Sequence, residues 1–313
     1  MKKTIFNFQL SIFNLILFIL CLACILPSCT EQPVSKRLFD HVVVIGIDGL
    51  CVEGLKQAAT PVMDNLIANG AVTYQARVVQ PSSSAANWGA MLHGAGTEVS
   101  GITSNRWRPD GQFMPPVIRN QAGRFPNIFN IIREQLPEAE QGAIVNWDGI
   151  RHLLQEEVVD RYETYASDGE TTLHVCDYIR TKKPNFLFIQ LDEVDGAGIW
   201  MSPKYLDVVA YNDSLVGRIM ESIHEAGMDD NTLVMVVSDH GGINGGHGGE
   251  TPEEVIVPVI FHGNGIKKGY TVRQPVYVYD LAANVALALN LKAPYAWTGR
   301  PTFPAFEGYD EPE

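Results

Sequence analysis

The stretch His41 to Ile47, HVVVIGI, is a nearly continuous β-branched run closed by Asp48-Gly49. It lacks the apolar-polar alternation of a half-exposed strand, so both of its faces must be covered, as in the centre of a parallel sheet. Parallel neighbours need long crossover connections, usually helices that pack back onto the sheet. Further strands are expected at Ala143 to Val145, Phe186 to Leu191, Thr232 to Val237 and Val257 to Phe261. Helical spacing of apolar residues marks Pro61 to Ala68, with Thr60 as N-cap and Gly70 as stop, and Phe129 to Leu136, ended by Pro137. It also marks Tyr279 to Leu289 and Pro203 to Ala226, where Tyr205, Val208, Val209, Leu215, Val216, Ile219 and Ile223 share one stripe. Strands separated by helices imply an α/β fold, a mostly parallel central sheet with helices on both faces. With 313 residues, 46% of them hydrophobic, the chain can bury a sizeable core, and residues 37–313 read as a single domain.

In such sheets the site forms where strands end at their carboxyl edge. Asp48 closes the first strand, Asp192, Glu193 and Asp195 follow Phe186 to Leu191, and Asp239-His240 follows Thr232 to Val237. His247 lies in the glycine-rich stretch Gly241 to Gly249. One aspartate after a strand is ordinarily a turn former or a helix cap. Several carboxylates and imidazoles at one rim repel each other unless a cation lies between them, and zinc or manganese suits that donor set.

Between the first two expected strands lies Pro81-Ser82-Ser83-Ser84-Ala85-Ala86-Asn87-Trp88. A serine entering a helix has free N–H groups and the positive dipole end beside it, which favour an anion. A metal that lowered its pKa would let the hydroxyl attack phosphorus. The bland alternative is a capping serine.

Charge narrows the partners. The chain has 23 Lys plus Arg against 36 Asp plus Glu, a formal charge of −13. No polymer of nucleic acid is expected to bind such a surface, because counterion release needs basic groups. Any anionic substrate must instead be attracted locally, by a metal or a helix N-terminus.

The N-terminus reads as an address rather than as fold. Lys2 and Lys3 precede an apolar run, Ile12 to Leu26, in the manner of a secretory signal. Leu26-Pro27-Ser28-Cys29 resembles the bacterial lipobox, with Pro27 as a departure. Residues 1–28 are thus expected to be a lipoprotein signal and residues 29–36 a short tether, placing the protein in the periplasm or anchored to a bacterial membrane through Cys29. A conventionally cleaved signal and an uncleaved anchor are the alternatives. Of the five cysteines only Cys51 and Cys176 then stay in the folded part, too few for a disulfide framework.

Taken together, Ile45-Gly46-Ile47-Asp48-Gly49, Pro81 to Asn87, Ser238-Asp239-His240-Gly241 and Gly246 to Glu254 resemble the alkaline phosphatase superfamily, most closely its type I phosphodiesterase/nucleotide pyrophosphatase branch. The resemblance runs from about His41 to Lys268. It implies one metal held by Asp48, Asp239 and His240 with Ser84 as the nucleophile, three residues before Asn87, whose amide would meet a phosphoryl oxygen. It implies a second metal held by Asp195, His247 and a histidine four residues after that aspartate. Here that position is Ile199, and Ser100 stands where the related segment has histidine before Gly101-Ile102. The implied partner is a small phosphate ester and the implied reaction a two-step displacement at its phosphorus, with one complete ion site and a second short of a ligand. The Cys/Ser-x-Pro-x-Arg motif of sulfatases is missing around Ser84. The alternative to an enzyme is an impaired relative that binds a ligand in the cell envelope without turnover.

The other histidines, His41, His93, His152, His174, His224 and His262, read as structural or surface residues. Trp107, Trp147, Trp200 and Tyr211 are candidate pocket walls or core. Arg106 to Phe125 is expected to loop over the pocket, where Arg106 or Arg108 could meet a substrate anion.

Overall fold

A computed structural model describes residues 37–111 and 114–310. The signal, Cys29 and the tether lie outside the described residues. Arg37–Glu313 forms one compact unit, and no helix among the described residues is long and apolar enough to cross a membrane.

Eight strands make one sheet in the order β4-β3-β5-β1-β6-β7-β2-β8. In chain order they are β1 (His41–Ile47), β2 (Ala71–Arg77), β3 (Gln141–Val145), β4 (Arg161–Thr164), β5 (Phe186–Leu191), β6 (Thr232–Val237), β7 (Ile256–His262) and β8 (Tyr270–Thr271). β7 alone runs against the others, antiparallel to β6 and β2, so the sheet is mostly parallel. β1 is central and pairs in parallel with β5 and β6. Ile47 is level with Leu191, and Gly46 with Val237. That register delivers Asp48, Asp192 and Asp239 to one rim.

Nine helices complete the described chain: α1 (Val52–Gln57), α2 (Pro61–Ala68), α3 (Ser84–His93), α4 (Thr97–Ser100), α5 (Ile128–Gln135), α6 (Asp168–Lys182), α7 (Pro203–Glu225), α8 (Pro252–Val255) and α9 (Asp280–Ala288). Val42 and Val44 of β1 join one core with Trp88 of α3, Phe129 of α5 and Val285 of α9. Val43 and Ile45 join the other, with Val175 of α6 and Val216 and Ile219 of α7. Burial on both sides explains the unalternating sequence of β1. Gly46 is the exception in that strand because a Cβ there would lie 2.5 Å from Cη2 of Trp88.

The expected strands and helices are found, with ends moved by a residue or two. Thr60 stands at the start of α2, but its hydroxyl turns to the Leu55 carbonyl. The carboxylate of Asp213 on α7 instead accepts from the Val62 and Met63 amides at 3.0 and 2.8 Å. His93, read as a structural or surface residue, is the buried last residue of α3. Cys51 and Cys176 are both free and buried.

Inside the core, the Nδ1–H of His93 donates to the Gly89 carbonyl at 2.8 Å. Burial lowers its pKa from 6.5 to about 4, against the pull of that hydrogen bond. An unfolded histidine binds the proton better, so the stability contributed by the neutral ring is full above about pH 6.5 and is lost as the pH falls toward 4. His93→Gln should therefore flatten the decline of Tm between those pH values, by up to about 3 kcal/mol of stability. A variant whose profile runs parallel to the wild type would assign the acid sensitivity elsewhere.

Candidate active site

Asp48, Asp239 and His240 meet at the carboxyl ends of β1 and β6, all buried. The outer oxygen of each carboxylate is satisfied. Asp48 Oδ2 accepts from Trp88 Nε1 at 3.0 Å and Gln190 Nε2 at 3.1 Å, and Asp239 Oδ1 accepts from the Gly49 amide at 3.2 Å. The inner oxygens, Asp48 Oδ1 and Asp239 Oδ2, have no hydrogen-bond donor. They lie 3.4 and 3.3 Å from His240 Nε2. The Nδ1–H of His240 donates to the Gly241 carbonyl at 2.9 Å, which leaves Nε2 as a lone pair facing two carboxylate oxygens. Three electron-rich atoms directed at one point fit a divalent cation. Burial, and then the Asp239 charge, push the Asp48 carboxyl well above its ordinary range, and burial does the same to Asp239.

A second group lies alongside. The ligand atoms of Asp195, His240 and His247 are within 4.8 Å of one another, as are those of Asp48, Asp239 and His240. Asp195 Oδ1 also lacks a donor and is 3.8 Å from His247 Nε2. The Nδ1–H of His247 donates to the Ser82 carbonyl at 3.1 Å, again freeing Nε2. The two imidazoles stack with centroids 3.8 Å apart, and burial followed by the His240 charge lowers the pKa of His247. Ile199 is 62% exposed. Glu193 is turned away, accepting from the Asp168 amide. Asp192 stays near Asp48, its Oδ1 accepting from Gln190 at 2.9 Å. Ser100 closes a turn, with its hydroxyl donating to the Gly96 carbonyl.

Ser84 is the first residue of α3, and its Oγ is 3.4 Å from His240 Nε2. The neighbouring serines do other things. Ser82 bridges to the glycine loop through the Gly249 carbonyl at 2.7 Å and the Gly248 amide at 3.1 Å, whereas the buried Ser83 Oγ meets no partner. Asn87 does not reach the rim as expected. Its Oδ1 accepts from the Val79 amide at 2.7 Å, and its Nδ2 donates to the Pro81 and Ser83 carbonyls at 3.2 and 3.1 Å. Both ends of the amide are consumed in holding the loop before the serine.

Two residues at the site escaped the sequence reading. Asn105 accepts the Ala85 amide on Oδ1 at 2.8 Å, so it sits against the first turn of α3 with its Nδ2 unengaged among the described residues. Asp168, fully buried, accepts from the Asp192 and Glu193 amides at 2.7 and 3.0 Å and from Asn146 and Asn212 side chains. It ties down the loop that carries Asp192 and Asp195. No motif flanks Asp168, whereas Asn105 stands three residues after the Gly101-Ile102 segment. Of the aromatic candidates, Trp200 donates to the Gly49 carbonyl at 3.0 Å beneath the glycine loop, and Trp147 lines a cavity.

Residues 42–248 match the family described as type I phosphodiesterase/nucleotide pyrophosphatase. GPI ethanolamine phosphate transferase 1 of Saccharomyces cerevisiae is 23% identical over 276 residues, covering 80% of this chain and 29% of the yeast protein. The chain thus spans under a third of that relative's length. Murine ectonucleotide pyrophosphatase/phosphodiesterase 5, in complex with AMP, superposes with a TM-score of 0.68 at 17% identity, over 82% of this chain and 96% of that one. Phosphonate monoester hydrolase from Silicibacter pomeroyi superposes with a TM-score of 0.65 at 15% identity, over 88% of this chain and 78% of that one. These likenesses show a shared, alkaline phosphatase-like fold.

The unpaired inner oxygens give a test independent of turnover. In chelator-treated protein at pH 8, Asp239→Asn should raise Tm, because it removes one of two buried like charges. Zinc at a hundredfold excess over its Kd should stabilise the wild type by about 3 kcal/mol and the variant far less. A variant that is less stable in chelator yet equally stabilised by zinc would place the ion elsewhere.

Proposed function

This chain belongs to the type I phosphodiesterase/nucleotide pyrophosphatase family, and from that premise we propose that it is a metal-dependent phosphoric ester hydrolase with Ser84 as its nucleophile. The observation that carries the reading is the set of donorless oxygens on Asp48 and Asp239 facing the free Nε2 of His240, with Ser84 Oγ 3.4 Å from that nitrogen. Asp48, Asp239, His240 and Ser84 would hold one divalent ion, zinc by preference, and Asp195 and His247 a second. Ions so held supply Lewis acidity to the serine oxygen, the phosphoryl oxygens and the leaving oxygen.

The chain's own residues do the rest. Ser84 Oγ attacks phosphorus in line, the bond to the leaving alcohol breaks, and water then cleaves the serine phosphate ester. The N-terminus of α3 faces the phosphoryl group with its positive end. The role first given to Asn87 passes to Asn105, whose unengaged Nδ2 beside Ser84 can donate to a non-bridging oxygen. Asn87 and Ser82 hold the serine's backbone so that little reorganisation is needed at the moment of attack.

Ile199 limits the second ion, since an aliphatic side chain offers no lone pair. We expect one tightly held ion and a weaker second, with activity that rises as added zinc or manganese fills the weaker site. A protein that binds one ion and turns over no ester even then would be a ligand-binding relative. For export we propose lipidation at Cys29, checked by the mass of the mature N-terminus; an unmodified terminus at any other residue excludes it.

Ser84→Ala should lower kcat on an aryl phosphodiester by about a thousandfold or more while leaving fold and tight-ion content intact. Retained activity in that variant, with loss in Ser82→Ala or Ser83→Ala, would reassign the nucleophile. Ile199→His should tighten the second ion in equilibrium dialysis.

A further inference from the structure

A cavity of about 280 Å³ opens beside the nucleophile, lined by Asn105, Arg108, Trp147, Asp148, Gly149 and His152. Two of its walls are bonded to the reaction centre. Asn105 holds the Ala85 amide next to Ser84. The Trp147 amide donates to Gln190 Oε1 at 2.8 Å, while Nε2 of the same glutamine donates to Asp48. The Asn105 bond sets the cavity against the first turn of α3, one residue from Ser84.

Its lining carries one guanidinium, Arg108, and one carboxylate, Asp148, with the His152 ring beside them. In a chain of −13, the charges of Arg108, Arg151 and Arg124 all act on His152, lowering its pKa after burial, and Asp148 opposes them. Arg151 is neutralised by Asp148 and Glu156 at 3.0 and 2.8 Å. Arg108 is not. Its hydrogen bonds go to the Asn105 and Trp107 carbonyls at 3.2 and 2.7 Å, and no carboxylate among the described residues lies within ion-pair distance of it. With the Asp148 carboxylate drawn to Arg151 at 3.0 Å, the Arg108 guanidinium, the Trp147 indole and the His152 imidazole are left to receive an anion on a short organic linker.

We propose that this cavity is a second anion subsite, so that the preferred substrate is a phosphodiester whose retained alcohol carries a further carboxylate or phosphate group bound by Arg108. The assignment to the retained side rests on the hydrolase reading. In-line attack places the leaving oxygen opposite Ser84 and the retained oxygen in the equatorial plane with the non-bridging oxygens, the plane that Asn105 serves and beside which the cavity opens. Trp147 covers the linker, and His152 gains a proton more readily once the anion is seated.

The test uses three 4-nitrophenyl phosphodiesters whose second alcohol is propyl, carboxypropyl or phosphonopropyl, with wild type and Arg108→Gln. Wild type should show KM about tenfold lower for the anionic esters than for propyl, with kcat similar, and in Arg108→Gln the ratio of the anionic to the propyl KM should return to about one, whatever happens to propyl hydrolysis itself. The carboxylate and phosphonate arms tell which anion is favoured. A binding arm needs no turnover: in chelated protein, inorganic phosphate should shift the His152 ring resonances and raise its pKa in wild type but not in Arg108→Gln. If no ester is hydrolysed and that shift is still lost with Arg108, the subsite stands and the catalytic reading fails. Equal KM values for all three esters, or a His152 response that survives Arg108→Gln, overturns the subsite.

Discussion

Two buried carboxylate oxygens, Asp48 Oδ1 and Asp239 Oδ2, point at each other's space with no proton donor between them. At separations under 4.8 Å and an effective dielectric near 20, two ionised groups repel by about 3 kcal/mol. Such a pair persists in a fold if the surroundings over-determine it and a proton or a cation relieves it. Much of the surrounding structure serves the first condition. The register of β1 between β5 and β6 sets the two aspartates level, and Trp88, Gln190 and the Gly49 amide clamp their outer oxygens.

That clamp reaches deep into the sheet. Trp88 gets to Asp48 because its ring crosses β1 at Gly46, where no side chain stands in the way. Gln190 faces three ways, to Asp48, to Asp192 and to the backbone of Asn146 and Trp147, and so links the carboxylates to the cavity wall. Asp168 does the same for the loop after β5 through the Asp192 and Glu193 amides. Burial pushes its carboxyl up to about 6 against the four donors that hold it. The glycine-rich loop is pinned by Ser82 and by Glu254, which accepts from the Gly249 amide at 2.8 Å. Fold and site are thus one hydrogen-bonded frame around a charge deficit.

What could be read in the amino-acid order depended on how locally each feature is encoded. β1, β5 and β6 are apolar on both faces, so their extents and their terminal acids were visible directly. α6 was not, because it opens Asp-Gly-Glu-Thr-Thr and buries threonines that carry no helical stripe. β2 was hidden by Tyr74, Gln75 and Arg77, which face outward or line its end. The resemblance made Asn87 a phosphate ligand, yet its amide is spent on the Val79, Pro81 and Ser83 backbone before Ser84. Asp168 lies far from any motif, and Asn105, three residues past Gly101-Ile102, shows its contact with α3 only in the folded chain.

The central claim is that the rim is a cation cradle, and anomalous diffraction at the zinc edge from zinc-soaked crystals tests it most directly. The account predicts a strong peak among Asp48, Asp239, His240 and Ser84, and a weaker one between Asp195 and His247 on the side of Ile199. Crystals with no peak at the first position, or with zinc only on surface histidines such as His224, would contradict it.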